Sequence, residues 1–317
     1  MATADLARHW LRIQRRAMAC RFEMTLDQAD AACVPAAQAA LNQIEVIEAQ
    51  LTVFRDTSAI VELNRHAAAA AMPCDPELFS LLSRCAALSR DTDGAFDITS
   101  TPLSRCWGFL QREGRVPTGH EIAAARALVG MHHVQLHAAQ SSVRFSRPGI
   151  ELNLGAVGKG YALDRVAETL RSNRVGRALL SAGRSSLLAI GQHGRGWSID
   201  LVSPRRPAPL ARVWLRDAAL GTSGAGTQFA TIDGKRYGHV IDPRTGEPSE
   251  GMLSASVICR SATDADALST AFFVGGPTLA QRYCEQHPGV LALLTPDDDS
   301  GTTLVIGECA HADVEDA

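Results

Sequence analysis

Glu151-Leu152-Asn153-Leu154-Gly155-Ala156-Val157-Gly158-Lys159-Gly160-Tyr161 reads as an apolar strand that enters a glycine-rich turn and leaves it as a helix. The helix continues through Leu163, Val166 and Leu170, which share one face. Glycines let a backbone approach a ligand closely, and the free N–H groups of a new helix attract anions. Lys159 adds a mobile positive charge at that mouth. The spacing fits neither G-x-x-x-x-G-K-[ST] nor G-x-G-x-x-G, so Walker and Rossmann sites are not supported. On spacing alone, an anion cradle and a plain strand-to-helix turn with an exposed lysine are equally well served.

On the N-terminal side of this stretch the pattern is helical. Leu41, Ile44, Ile47 and Leu51 lie on one face of a helix over 38–51. Asp75-Pro76 opens a second helix with a capping carboxylate and a first-turn proline, and Leu78, Leu81, Leu82, Cys85 and Leu88 follow. Thr118-Gly119-His120-Glu121 reads as a capping box, with Gly130 as the stop. From 133 onward short strands are predicted at Val134–His137, Val143–Phe145, Ile150–Leu154, Ala178–Leu180, Leu187–Ile190, Trp197–Leu201 and Arg212–Leu215. Helices return at Asp264–Phe273 and Pro277–Gln286, followed by strands at 290–294 and 303–306 and a frayed polar tail from His311. This order favours a mixed, layered α+β fold.

The chain has 317 residues, 46% of them hydrophobic and 21% charged, so it can bury a sizeable core. Its 31 Lys+Arg against 34 Asp+Glu give a net charge of −3, which argues against a nucleic-acid surface. No apolar run approaches the ~20 residues of a membrane span. Arg15-Arg16-Ala17-Met18-Ala19-Cys20 lacks the apolar stretch that precedes a lipoprotein cleavage site, so the chain as written reads as cytoplasmic. A misplaced start would make it periplasmic. The 8 cysteines include no Cys-x-x-Cys pair and read as reduced thiols.

Two further segments carry oxygen and nitrogen chemistry. In Thr263-Asp264-Ala265-Asp266-Ala267-Leu268-Ser269-Thr270, Asp266, Ser269 and Thr270 stand at i, i+3 and i+4 on a helix. Three hard oxygens with one carboxylate suit Mg²⁺, which shares its shell with water and substrate phosphate. A capping pair of Thr263 and Asp266 explains the same residues. In Asp233-Gly234-Lys235-Arg236-Tyr237-Gly238-His239-Val240-Ile241-Asp242-Pro243, a short strand between two turns ends near His239, a group that accepts a proton near neutrality. Upstream, Gly221-Thr222-Ser223-Gly224 reads as a compact polar turn.

Taken in order, these segments resemble the FAD:protein FMN transferase family, also called the ApbE family. The likeness starts at Met18-Ala19-Cys20, where the family usually has Met-Gly-Thr. It runs through Leu51-Thr52-Val53-Phe54-Arg55 with Ser58 and Asn64, Gly94-Ala95-Phe96-Asp97-Ile98-Thr99, Pro102-Leu103 and Trp107-Gly108-Phe109. Gly158-Lys159-Gly160-Tyr161, Thr222-Ser223-Gly224, the run from His239 to Pro248 and the run from Ala265 to Thr270 complete it.

The resemblance implies a T-fold-like core in one domain over 18–310, with a candidate lobe boundary near 132, an extension at 1–17 and the tail at 311–317. It implies a Mg²⁺ centre at which FAD is the substrate. The FMN moiety would pass to a threonine or serine hydroxyl of an acceptor flavoprotein, releasing AMP. By position, Mg²⁺ would take the Ala156 carbonyl and the side chains of Asp266 and Thr270. Met18, Phe54, Ala95, Phe96, Asp97, Asn153, Lys159 and Ile241 would contact FAD, and His239 is the candidate base. Asn153, Arg184 and Ala225 stand where the family usually has aspartate. The same residues also suit a flavin-binding homologue without turnover, or a hydrolase that uses water as acceptor.

Overall fold

The computed structural model describes residues 10–111, 113–192, 194–202, 209–225, 229–232, 234–298 and 302–316. Its centre is an antiparallel sheet of eight strands in the order β1-β2-β6-β7-β10-β13-β14-β15. These are Trp10–Ala17, Cys20–Asp27, Ala178–Ala182, Ser186–Ile190, Ala219–Gly224, Met252–Cys259, Leu291–Pro296 and Leu304–Gly307. One face carries α1 (Val34–Leu51), α6 (Gly158–Ser172) and α7 (Ala262–Gln286). The other is covered by a three-stranded sheet of β8 (Trp197–Val202), β9 (Pro209–Leu215) and β16 (Ala312–Asp316).

With both faces covered, successive side chains of one strand enter different cores. Val257 of β13 joins the helix-side core, and its neighbour Ile258 packs with Val213 and Leu215 on the opposite side. Every residue of β13 is buried in consequence.

Between α1 and α6 the chain forms a helical region: α2 (Ala59–His66), α3 (Pro76–Asp91), α4 (Thr101–Cys106) and α5 (Gly119–Arg126). A small sheet of β3 (Met72–Pro73), β4 (Val134–His137) and β5 (Ser142–Phe145) accompanies it. The main core runs without interruption from Ile60, Leu78 and Leu88 of this region to Val166 and Leu294. A hairpin of β11 (Phe229–Ile232) and β12 (Lys235–Gly238) precedes the loop around Ile241. Among the described residues no helix is long and apolar enough to cross a membrane.

The mixed α+β arrangement expected from the sequence holds, with four local differences. The residues read as an N-terminal extension include β1, which pairs with β2 along its whole length from Trp10↔Asp27 to Ala17↔Cys20. The expected tail is strand β16, held on β9 by Val314↔Val213 and its neighbours. Gly221–Gly224 lies inside β10 and is no turn.

Finally, Ile150–Leu154 joins no sheet, because other groups satisfy its backbone. The Asn64 side chain takes Leu152 N–H at 2.8 Å and donates to Leu152 O at 3.0 Å, and Asn153 N–H goes to Ile98 O at 2.8 Å. The expected pair of late helices is present, with the break at Gly276 (φ 66°) inside α7. Of the predicted Asp233-Gly234 turn, Asp233 lies outside the described residues.

Candidate functional site

The glycine-rich stretch and the start of α7 meet without intervening side chains. A Cβ on Gly160 would fall 2.0 Å from Ala262 O, and one on Gly221 of β10 would fall 2.4 Å from the Ala265 carbonyl. Only glycine permits contacts this close. They bring the first turn of α6 and strand β10 against the first turns of α7.

At that junction Asp266 is 5% exposed. Its Oδ2 accepts Gly160 N–H at 2.7 Å and its Oδ1 accepts the Ser186 hydroxyl at 2.6 Å. Burial pushes its pKa up to about 6; the Lys159 ammonium and the two hydrogen bonds act against that rise. Asp266 therefore caps the neighbouring helix α6 and does not pair with Thr263. The cap of α7 is Ser261, whose Oγ accepts Asp264 N–H at 3.2 Å. The expected Thr263–Asp266 pair fails because the helix starts two residues earlier than that reading requires.

A carboxylate offers about four lone-pair sites, and Asp266 uses one on each oxygen among the described residues. Close by, Ser223 Oγ lies 3.0 Å from Ser269 Oγ and 3.2 Å from Thr270 Oγ1. Gly160 N–H would pair with Ala156 O if α6 began one turn sooner. Because it goes to Asp266, Ala156 O has no hydrogen-bond donor among the described residues. Among those residues no group of three or more His, Cys, Asp or Glu gathers as a metal site. A cation held here would rest on one carboxylate, hydroxyls, a carbonyl and substrate oxygens, the set that suits Mg²⁺.

Lys159 Nζ donates to Ser185 Oγ in the turn between β6 and β7. Cys20 stands near both Lys159 and Asp266, and burial raises its thiol pKa despite the lysine. Met18 occupies the hairpin turn before it, and both turn residues, Met18 (φ 49°) and Ala19 (φ 55°), are left-handed. Asn153 Oδ1 accepts Gly155 N–H at 2.8 Å and shapes the turn into α6. Phe54, in the loop after α1, is 81% exposed.

The remaining predicted positions lie in the helical region and in the loop after β12. Gly94, Asp97, Arg126, Gly130, Pro243 and Arg244 line a cleft of about 470 Å³. Asp97 is 9% exposed and accepts four bonds: Thr99 N–H (2.8 Å), Thr99 Oγ1 (2.6 Å), Ser89 Oγ (3.1 Å) and Met131 N–H (3.0 Å). Ala95 and Phe96 are each 1% exposed. Their side chains belong to the main core, packed beneath this cleft-lining segment.

Ile241, 7% exposed, packs with Leu103, Trp107 and Ile122, and Trp107 Nε1–H donates to Gly246 O at 2.8 Å. Through these contacts the helical region anchors the loop that follows His239. His239 itself is half-buried just past β12, while Ser249 joins the same loop to α7 by donating to Phe273 O at 3.3 Å.

Sequence reasoning missed Asp164, Ser185 and Ser186. Asp164 was legible only as a polar residue one turn beyond Gly160 on the same helix face. The serines carried no local signal, because β7 brings them in from 20 or more residues away.

Comparison with known proteins agrees with this architecture. The profile of the ApbE family matches residues 18–294. The chain is 30% identical over 271 residues to the FAD:protein FMN transferase of Escherichia coli strain K12, covering 83% of this chain and 77% of that one. It is 31% identical over 288 residues to the enzyme of that name from Treponema pallidum, covering 83% and 79%. The solved ApbE protein of Thermotoga maritima matches with a TM-score of 0.85 at 27% identity, covering 95% of this chain and 97% of that one. The apo form of Pseudomonas stutzeri flavinyl transferase ApbE gives 0.81 at 29% identity, covering 95% and 96%. The chain belongs to the ApbE family.

Proposed function

We propose that this chain moves the FMN moiety of FAD onto a threonine or serine hydroxyl of an acceptor flavoprotein and releases AMP, with Mg²⁺ at the Asp266 centre. The observation that carries this reading is the buried Asp266 carboxylate, which among the described residues takes one hydrogen bond on each oxygen and so keeps capacity for a cation. Ala156 O and the Thr270 hydroxyl complete a hard-oxygen set that would hold Mg²⁺ with it. When bound, the ion neutralises charge on the pyrophosphate as AMP leaves.

The chain's own residues supply the rest. Lys159 brings a second positive charge to the same centre, and Phe54 offers an exposed aromatic face to the flavin. In the transfer, the acceptor oxygen bonds to the FMN-side phosphorus and the P–O bond to AMP breaks. His239 takes the hydroxyl proton. Asn153 lacks the charge of the family's usual aspartate but still holds Gly155 N–H, so the turn into α6 survives the exchange.

The test is incubation with FAD, Mg²⁺ and candidate acceptors, followed by intact-protein mass and nucleotide analysis. An acceptor heavier by one FMN less water, with equimolar AMP, is the expected result. AMP with free FMN would make the chain a hydrolase, and bound FAD without turnover would make it a carrier.

A further inference from the structure

The α6–α7 junction contains a second carboxylate that the proposed chemistry does not use. Asp164 lies one turn after Gly160 on α6. Its Oδ1 accepts Ala262 N–H at 2.9 Å, and its Oδ2 accepts Thr263 N–H (2.9 Å), Thr263 Oγ1 (2.6 Å) and Ser261 Oγ (2.9 Å). All four donors belong to the cap and first turn of α7. In return, Asp266 of α7 accepts Gly160 N–H from the first turn of α6. Each helix thus satisfies open N–H groups of the other with a carboxylate, an arrangement neither sequence segment shows alone.

Geometry makes this clamp specific to the centre. Gly160 and Gly221 let the backbone of α6 and of β10 approach α7 directly at Ala262 and Ala265. The four bonds to Asp164 add a directional constraint on the first turn of α7, beside the Arg84–Asp264 ion pair on the same turn. Asp266 lies three residues beyond Thr263, less than one turn, so freeing the first turn swings its carboxylate directly.

We infer that Asp164 is a positioning residue: by fixing the first turn of α7 it holds Asp266 where it can bind Mg²⁺. This rests on the Mg²⁺ centre proposed above. Asp164 touches neither substrate nor metal; it acts through Asp266.

The test compares wild type, Asp164→Asn, Thr263→Val and Asp75→Ala. In Asp164→Asn the amide keeps one acceptor oxygen but turns its NH₂ toward donors. Asp75→Ala is the control, because it removes the cap that holds Glu77 N–H and Leu78 N–H at the start of α3. Each protein is titrated with Mg²⁺ while bound-FAD fluorescence is followed, and amide hydrogen exchange is measured over 158–161 and 262–266.

For Asp164→Asn the half-saturating Mg²⁺ should rise at least tenfold, with faster exchange at Gly160 and Thr263. Fluorescence at saturating Mg²⁺ should return to the wild-type level. Thr263→Val, which removes one of the four bonds, should shift the midpoint about threefold and decides the matter if Asp164→Asn does not fold. Asp75→Ala should lower the melting temperature without moving the midpoint. If Asp164→Asn and Thr263→Val melt lower but respond at the wild-type Mg²⁺ concentration, Asp164 is a helix cap only and the inference fails. If wild type itself shows no Mg²⁺ response, the underlying metal centre fails first, and that outcome is separate.

Discussion

Asp97 and Asp266 are both buried carboxylates in motifs of one family, yet their surroundings differ in kind. Asp97, in the helical region, accepts two hydrogen bonds on each oxygen, two of the four from backbone N–H groups that cannot rotate away. Asp266, at the α6–α7 junction, accepts one on each among the described residues. The first is tied to the scaffold through both oxygens even as it lines the cleft. The second has its charge raised in energy by burial and keeps capacity for a further partner. Hydrogen-bond accounting separates scaffold from candidate chemistry where sequence motif and burial do not.

The sharpest way to break this contrast is Asp266→Asn. The amide oxygen can keep Gly160 N–H, and the Ser186 hydroxyl can turn to accept from the NH₂, so the buried backbone donor keeps its acceptor while the desolvated charge is removed. Melting of the Mg²⁺-free protein should be at or above wild type. Mg²⁺-dependent FAD binding and transfer should fall at least tenfold, read by flavin fluorescence and acceptor mass. Full activity in this variant would remove Asp266 from the centre.

The second prediction concerns pH. Asp266 has a folded pKa of about 6, raised from 3.8, so its protonated form favours the native state. Its contribution to stability is complete below pH ~4 and is lost as pH rises through about 6, on the order of 3 kcal/mol in all. Without Mg²⁺, wild type should therefore lose stability relative to Asp266→Asn between about pH 4 and 6.5 in matched denaturant titrations. With Mg²⁺ the sign reverses, because protons compete with the metal below about pH 6. A pH-independent difference between the two proteins would mean that Asp266 is not buried as described.

Asp97→Asn should behave in the opposite way to Asp266→Asn. Wherever its NH₂ turns, it meets the N–H of Thr99 or of Met131, and one buried backbone donor loses its acceptor. A loss of about 1–3 kcal/mol is expected, measured by chemical denaturation. The half-saturating Mg²⁺ should stay at the wild-type value. Undiminished stability would show that the four bonds do not bind Asp97 to the scaffold.

The same division governs what the sequence could reveal. Caps made by neighbours in the chain were legible: Asp75 holds Glu77 N–H, and Thr118 with Glu121 forms the expected box. Partners supplied from a distance were not. Nothing local distinguishes Ser261 from Thr263 as the cap of α7; Asp164, about a hundred residues earlier, settles the start by binding the turn that follows Ser261. Asn64 likewise takes the place of a sheet neighbour for Leu152, and an apolar run that reads as a strand remains outside every sheet. The resemblance located Asp266 and Thr270 by motif, but only the packing of Gly160 on Ala262 explains why that carboxylate is buried beside α6.

The smallest expected effect lies in the turns that serve the two regions. In the helical region the left-handed turn is Asp93-Gly94 (φ 50° and 74°), residue types that accept this conformation. At the junction the corresponding hairpin turn is Met18-Ala19, whose Cβ atoms are both strained at φ 49° and 55°. A left-handed residue with a Cβ costs roughly 1–2 kcal/mol, and a glycine recovers part of that while giving up about 0.4–1 kcal/mol of unfolded-state entropy. Ala19→Gly should therefore stabilise the protein by under about 1 kcal/mol, a rise of about 2 °C in calorimetry. Because the turn leads into Cys20 beside Lys159, a gain obtained with no change in FAD affinity would mark the strain as incidental. A gain accompanied by weaker FAD binding would mean that the strained turn is part of how the junction presents Met18.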